Sequence, residues 1–486
     1  MTAAMRVRPA RRSVMLGAGL AIGSGLAGIP LGGAAAPTEQ EIVAAPRSFS
    51  LTGNAAAVTA GWGYADAFPP PTLRVKLGDT LRVRLINRLP EHTSIHWHGI
   101  RLPNAMDGVP YLTQPPVEPG AEFVYEFRPP DAGTFWYHPH CNSIEQIGRG
   151  LMGVLVVENP DDPPFDADIV CLYRDWRFDQ AGNFTALSTD EGAGRAGTMG
   201  NFHTVNGVNA PVIDVPAGGL VRLRILNLDS ARVITATLAE QPAWVIAIDG
   251  NPIAPVAFDQ WQMGPAMRLD LALRAPDREG AIFTLVNTFL AEPLILASFR
   301  AAGPAKTGRS DGPPALPASP IPRPDLGNAE ALPFSFSASS ATALDPQDQL
   351  PDLSALQSAL GTNEPVADFL CRPQRIFWAI NQRPWPGQTG DRIPPPLATL
   401  TRGRTYIFEL INTTPHTHPI HLHGHTFLVI ESNKRTVMPY HTDTVLIHTK
   451  ERVKIAFVAD NPGDWMLHCH IIEHQDTGMM GYVRVA

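Results

Sequence analysis

Gly463-Asp464-Trp465-Met466-Leu467-His468-Cys469-His470 is the stretch on which the reading of this chain turns. A strand sends successive side chains to opposite faces. On a strand, therefore, His468 and His470 face one way and Cys469 the other. One short segment can then hand a thiolate to one metal centre and two imidazoles to its neighbour. His474 and Met479 follow closely. A single Cys joined by His and a weak axial Met is the ligand set of a blue-copper electron-transfer site; a structural zinc site is the plainer alternative.

The same stretch has an echo. Gly133-Thr134-Phe135-Trp136-Tyr137-His138-Pro139-His140 matches it residue for residue in pattern, and His96-Trp97-His98-Gly99 likewise resembles His421-Leu422-His423-Gly424. Pro139 stands where Cys469 stands, so the first copy can supply imidazoles but offers no thiolate at that place. Three further stretches read alike: Gly78 to Asn87, Gly219 to Asn227 and Gly403 to Asn412. Each is a turn followed by an alternating or wholly apolar strand ending at Asn, which predicts three copies of one β-domain. The expected organisation is a first domain over 37–160, a second over 161–300, a Pro/Ala/Gly-rich linker over 301–325 and a third over 326–486. A short amphipathic helix is expected around Leu353–Leu360. Of the 16 histidines only His203 lies in the middle copy, which reads as a spacer without copper.

The 48 prolines, 41 glycines and 17% charged residues suit short strands joined by turns. A net charge of −8 offers no basic footprint, so nucleic acid is not an expected partner. Arg11-Arg12 opens a Gly- and Ala-rich apolar run, with Ala34-Ala35-Ala36 offering a cleavage site. This predicts a signal peptide over 1–36 carried by the twin-arginine export machinery, and a periplasmic or secreted product. Repeated Gly and Pro30 make the run a poor transmembrane helix, so no stable membrane insertion is expected after processing. If Cys469 is a metal thiolate, Cys141, Cys171 and Cys371 allow at most one intrachain disulfide; the sequence does not choose the pair.

Four His-x-His pairs supply eight imidazoles in two matching sets, too many for one tetrahedral zinc but suited to three coppers. With these motifs the chain resembles the three-domain multicopper oxidases, the laccase and copper-efflux-oxidase family, over nearly all of the mature protein. The matching motifs are His-Trp-His-Gly, His-Pro-His, His-x-x-His-x-His-Gly and His-Cys-His-x-x-x-His-x-x-x-x-Met. The resemblance implies an all-β protein of three cupredoxin-like Greek-key β-barrels holding four coppers. It implies that His418, Cys469 and His474, with Met479 axial, bind the type 1 copper. His96 and His421 would bind the type 2 copper, and His98, His138, His140, His423, His468 and His470 the type 3 pair. Every ligand position is filled. His92, His203, His416, His425, His441 and His448 fall outside the motifs and read as surface or supporting residues, with His416 and His425 able to hydrogen-bond the metal strand.

The resemblance also implies the chemistry. A small reductant, a phenol, aromatic amine or metal ion, would give single electrons to the type 1 copper by way of His474. Cys469 would pass them to the imidazoles of His468 and His470, and dioxygen would be reduced to water. Asp107 stands where the family places an acid near the cluster, implying a proton-relay role; the local reading is a turn-forming Asp-Gly. Copper-efflux oxidases carry a second acid after the type 1 histidine. Here Gln475 stands there, leaving Glu473 or Asp476 as substitutes. Those oxidases also carry a Met-rich insertion over the type 1 site, whereas no Met occurs here between Met267 and Met438. That favours a laccase-like oxidase over a Cu(I) or Fe(II) oxidase, since thioethers are the soft ligands for Cu(I). A scaffold without turnover is the remaining class.

Overall fold

The structure, a computed structural model, describes residues 39–51, 58–306, 312–338, 376–387 and 393–486. The expected signal peptide, the helix around Leu353–Leu360 and Cys371 lie outside the described residues. No helix among the described residues is long and apolar enough to cross a membrane.

The three Asn-ended strands occupy one equivalent place in three successive β-units. Leu81–Asn87 pairs in parallel with Glu39–Phe49 and antiparallel with Glu122–Phe127. Leu220–Asn227 does the same with Ala167–Trp176 and Arg268–Arg274. Thr405–Asn412 repeats it with Glu330–Ala338 and Arg452–Val458. The closing Asn has one task in each copy. The Asn87 amide donates to the carbonyls of Glu91 and Val117 while its oxygen accepts from Leu89 N. Asn227 and Asn412 bridge their own turns in the same way. All three are buried, and an amide alone supplies donors and an acceptor together at such a corner.

Each unit adds a second sheet, giving six sheets among the described residues, and the whole is three cupredoxin-like Greek-key barrels. Alternation builds their interiors. In Gly463–Cys469 the side chains of Trp465, Leu467 and Cys469 enter the apolar core of the third unit, which leaves His468 on the opposite face. The second sheets of the first and third units carry the histidines in matching register. His96 faces His138 across one strand pair, and His421 faces His468 across the other. The middle unit fills its interior with Val, Leu, Ile and Phe. Its last strand, Leu294–Ala302, runs into the stretch expected as linker, with Ala301 buried, and no strand lies among the described residues between it and Glu330.

Candidate metal centres

Two buried centres follow from this arrangement, one on each face of the Cys469 strand. In the first, the Sγ of Cys469 lies 3.6 Å from Nδ1 of His418 and 3.5 Å from Nδ1 of His474, and those two nitrogens are 3.1 Å apart. His418 opens the strand His418–Leu422, and His474 returns on the short helix Ile472–Asp476. The other ring nitrogens are already engaged. His418 Nε2 meets the Thr414 hydroxyl at 2.7 Å, and His474 Nε2 donates to the Arg195 carbonyl at 2.7 Å. A carbonyl only accepts, so His474 Nδ1 is a lone pair aimed at the sulfur. The Ile471 N–H points at the same sulfur from 3.4 Å. Met479 is buried in the same core, and its carbonyl accepts from Cys469 N at 3.1 Å.

The second centre gathers all eight imidazoles of the paired motifs. Their ligating atoms cluster as His98, His138 and His470, as His140, His423 and His468, and as His96, His98 and His421. The two units interlock, with His96 stacked on His423 and His98 stacked on His421, each at 3.8 Å between centroids. Backbone carbonyls fix the tautomers. His96 Nδ1 donates to Asp107 O, His138 Nδ1 to Pro139 O and His421 Nδ1 to Asp443 O, each at 2.8 Å, leaving the Nε2 of all three buried without a partner. His468 Nδ1 donates to Cys469 O and His423 Nδ1 to a carboxylate oxygen of Asp107, so their Nε2 lone pairs face each other at 3.1 Å. Converging lone pairs repel unless an electrophile lies among them. The donor set fits copper: nitrogen alone at the eight-histidine centre, nitrogen with soft sulfur at the other.

Burial, and after it the neighbouring imidazoles, holds His98, His138, His140, His418, His423, His468 and His470 well below the ordinary histidine range. His474 is pushed down to about 3 by burial. All are neutral and ready to ligate. Burial pushes the Cys469 thiol up, so it ligates only by giving up its proton. The histidine shifts carry a prediction for metal-free protein. Below pH ~6.5 the unfolded chain takes protons on these imidazoles and the folded chain does not. Stability is therefore lost as pH falls from about 6.5, by up to about 1.4 kcal/mol per pH unit for each group. Thermal melting of chelator-treated protein across that range is the check, and a melting temperature independent of pH would contradict it.

Asp107 joins the cluster: it is buried, one carboxylate oxygen takes the His423 Nδ1–H at 2.9 Å, and the other lies 3.2 Å from His96 Nδ1. The turn is equally real, because Gly108 sits at φ +82° and a Cβ there would meet the Ile95 carbonyl at 1.8 Å. Glu473 is buried on the short helix that carries His474. Its carboxylate is taken up by the hydroxyls of Ser188 and Thr198, at 2.6 and 2.7 Å. Asp476 accepts from Ile144 N and the Gln475 amide, and burial pushes its acid up to about 6. None of His92, His203, His416, His425, His441 and His448 enters a cluster among the described residues; His425 Nδ1 meets the His423 carbonyl at 3.2 Å.

Three supporting residues escape a reading by motif. Asp443 is buried; its carboxylate accepts from His98 Nε2 at 3.0 Å while its carbonyl takes His421 Nδ1. The hint in sequence is an acid in the otherwise uncharged Thr442-Asp443-Thr444-Val445-Leu446. Arg195 caps the outer edge of His474, so that imidazole is fully buried rather than an open entry edge. Trp378 packs on His474 at 4.4 Å and donates to the Ala193 carbonyl, closing the same cover. Among the described residues the middle unit contributes no side chain to these clusters, and its Ala193 and Arg195 carbonyls lie over the first centre.

Sequence models of the multicopper oxidase family match residues 49–162, 168–301 and 370–486. A multicopper oxidase of Mycobacterium tuberculosis is 30% identical over 450 residues, covering 86% of this chain and 81% of its own. Laccase-5 of Trametes villosa is 29% identical, covering 87% of this chain and 84% of its own. The crystal structure of a multi-copper oxidase from Pseudomonas thermotolerans, 40% identical, covers 93% of this chain and all of its own with a TM-score of 0.80.

Proposed function

The chain belongs to the multicopper oxidase family, and on that footing we propose that it couples one-electron oxidation of phenols or aromatic amines to the four-electron reduction of dioxygen to water. The observation that carries this is the Cys469 strand, which places a His–Cys–His triad on one face and an eight-imidazole cluster on the other. Copper, when bound, supplies one-electron acceptance at the triad and dioxygen reduction at the cluster. His418, Cys469, His474 and Met479 are assigned to type 1 copper, His96 and His421 to type 2, and the remaining six imidazoles to the type 3 pair. The backbone of Cys469 joins its sulfur covalently to both neighbouring imidazoles. The Arg195 carbonyl already takes the His474 N–H, so the reductant docks over residues 189–198 and its electron crosses that cover. Asp107 holds and delivers protons beside His96 and His423. The paired arginines near the N-terminus support export by the twin-arginine route to the periplasm or beyond.

Absence of Met from 268 to 437 favours an organic reductant over Cu(I). Oxidation of a metal ion is the second reading; the exposed Glu191 on that same cover is ion-paired with Arg195. Oxygen uptake with a bulky phenol and with Cu(I), without added copper, separates the two. The expected result is turnover of the phenol well above that of Cu(I). Phenol rates equal to those of a Cys469→Ser control would overturn the organic reading.

A further inference from the structure

We infer that Arg268, in the unit that carries no ligand, is a positioning residue for the eight-histidine copper centre, acting through Asp443. The inference rests on the copper assignment made above. Arg268 opens the strand Arg268–Arg274 and is buried. A guanidinium has five N–H donors in a fixed fork, and here every one is used. Nε donates to the Thr134 carbonyl at 3.1 Å, within the strand of the first unit that ends in His138. Nη1 donates to the Ala266 carbonyl at 3.1 Å and to Asp443 Oδ1 at 2.9 Å. Nη2 donates to the Asp249 carbonyl at 3.1 Å and to Asp443 Oδ2. One side chain thus ties the three units together next to the cluster.

The bidentate pair holds Asp443 in the pose that selects tautomers. With Oδ1 accepting from His98 Nε2, His98 Nδ1 is left as the free lone pair; with the Asp443 carbonyl accepting from His421 Nδ1, Nε2 is left free there. His98 comes from the first unit and His421 from the third, so one residue sets a ligand on each side. Both carboxylate oxygens of Asp443 take an N–H of the Arg268 guanidinium, so a full positive charge sits directly against the buried carboxylate.

An independent observation comes from Gly99, the last residue of His96-Trp97-His98-Gly99. A Cβ there would meet Asp443 Oδ2 at 2.4 Å and Arg268 Nη2 at 2.5 Å, and the residue sits at φ +85°. The motif's glycine therefore leaves room for an ion pair built from the other two units.

The test uses copper-loaded Arg268→Met, Arg268→Lys and Asp443→Asn, with copper content, the type 2 electron paramagnetic resonance signal and the blue absorbance measured on each. The blue absorbance belongs to His418, Cys469 and His474, which none of these changes touches. Arg268→Met should keep it while binding type 2 copper at least about tenfold more weakly. Arg268→Lys should fall between, keeping the charge but not the fork. Arg268→Met combined with Asp443→Asn should add little to either alone, since both act through one carboxylate. An unchanged type 2 signal in Arg268→Met would overturn the inference. So would parallel loss of the blue and type 2 signals in both Arg268 variants, which would make Arg268 a residue of general folding. A wild-type protein with no type 2 signal would instead overturn the copper assignment itself.

Discussion

Cys469→Ser should abolish the blue absorbance and lower reductant oxidation by at least about 100-fold, since even changes one shell out from a metal cost 10- to 100-fold. The sulfur lies within 3.6 Å of two imidazole nitrogens and receives the Ile471 N–H. A serine oxygen is smaller and harder, and it does not stabilise Cu(I) as a thiolate does. The colour arises from thiolate-to-copper charge transfer, so it goes with the sulfur. The cluster ligands His468 and His470 lie on the opposite face of the strand and are left in place. Copper content should therefore fall by about one ion per chain, with the type 2 signal retained. Absorbance, metal analysis and oxygen uptake on one preparation check all three expectations. A serine variant that oxidises phenol at the wild-type rate would remove Cys469 from the electron path.

The second large effect is expected from Asp107→Asn. The amide keeps the shape and still accepts the His423 Nδ1–H, so the imidazole tautomer and copper binding should survive. What it loses is the ability to take up and hand on a proton. Turnover under air should fall about 100-fold, within the usual range for loss of a general acid–base group. Anaerobic bleaching of the blue band by substrate, which needs no proton at the cluster, should keep its rate. Asp107→Ala removes the acceptor for His423 as well, and should weaken copper binding there by at least about tenfold. The contrast between the two variants separates proton delivery from ligand support. Wild-type oxygen uptake by the Asn variant would remove proton delivery and leave Asp107 its hydrogen bond to His423 and its turn at Gly108.

Much of the fold and site was legible because the signals are local. Strand alternation has a period of two residues, so His468-Cys469-His470 states which side chains share a face before any tertiary contact exists. The Asn-ended strands repeat because each copy must satisfy the same corner with one amide. Paired histidines are few enough that their matching positions mark the two units whose imidazoles converge. A residue's partners depend on what folds against it. Glu473 sits beside His474 in sequence, and its carboxylate accepts from Ser188 and Thr198 of the middle unit.

By itself, then, the sequence determined three β-barrels, the twelve side chains suited to copper, and the opposite facing of His468 and Cys469 on their strand. Only the tertiary structure decided how those ligands are aimed and covered. Asp443 reaches His98 across more than three hundred residues of chain, Arg268 reaches Asp443 from the middle unit, and the Arg195 carbonyl closes over His474. The physical reason is that a buried polar group must find a partner wherever folding brings one within hydrogen-bond reach. That partner is set by the packing of the units, which no local pattern encodes.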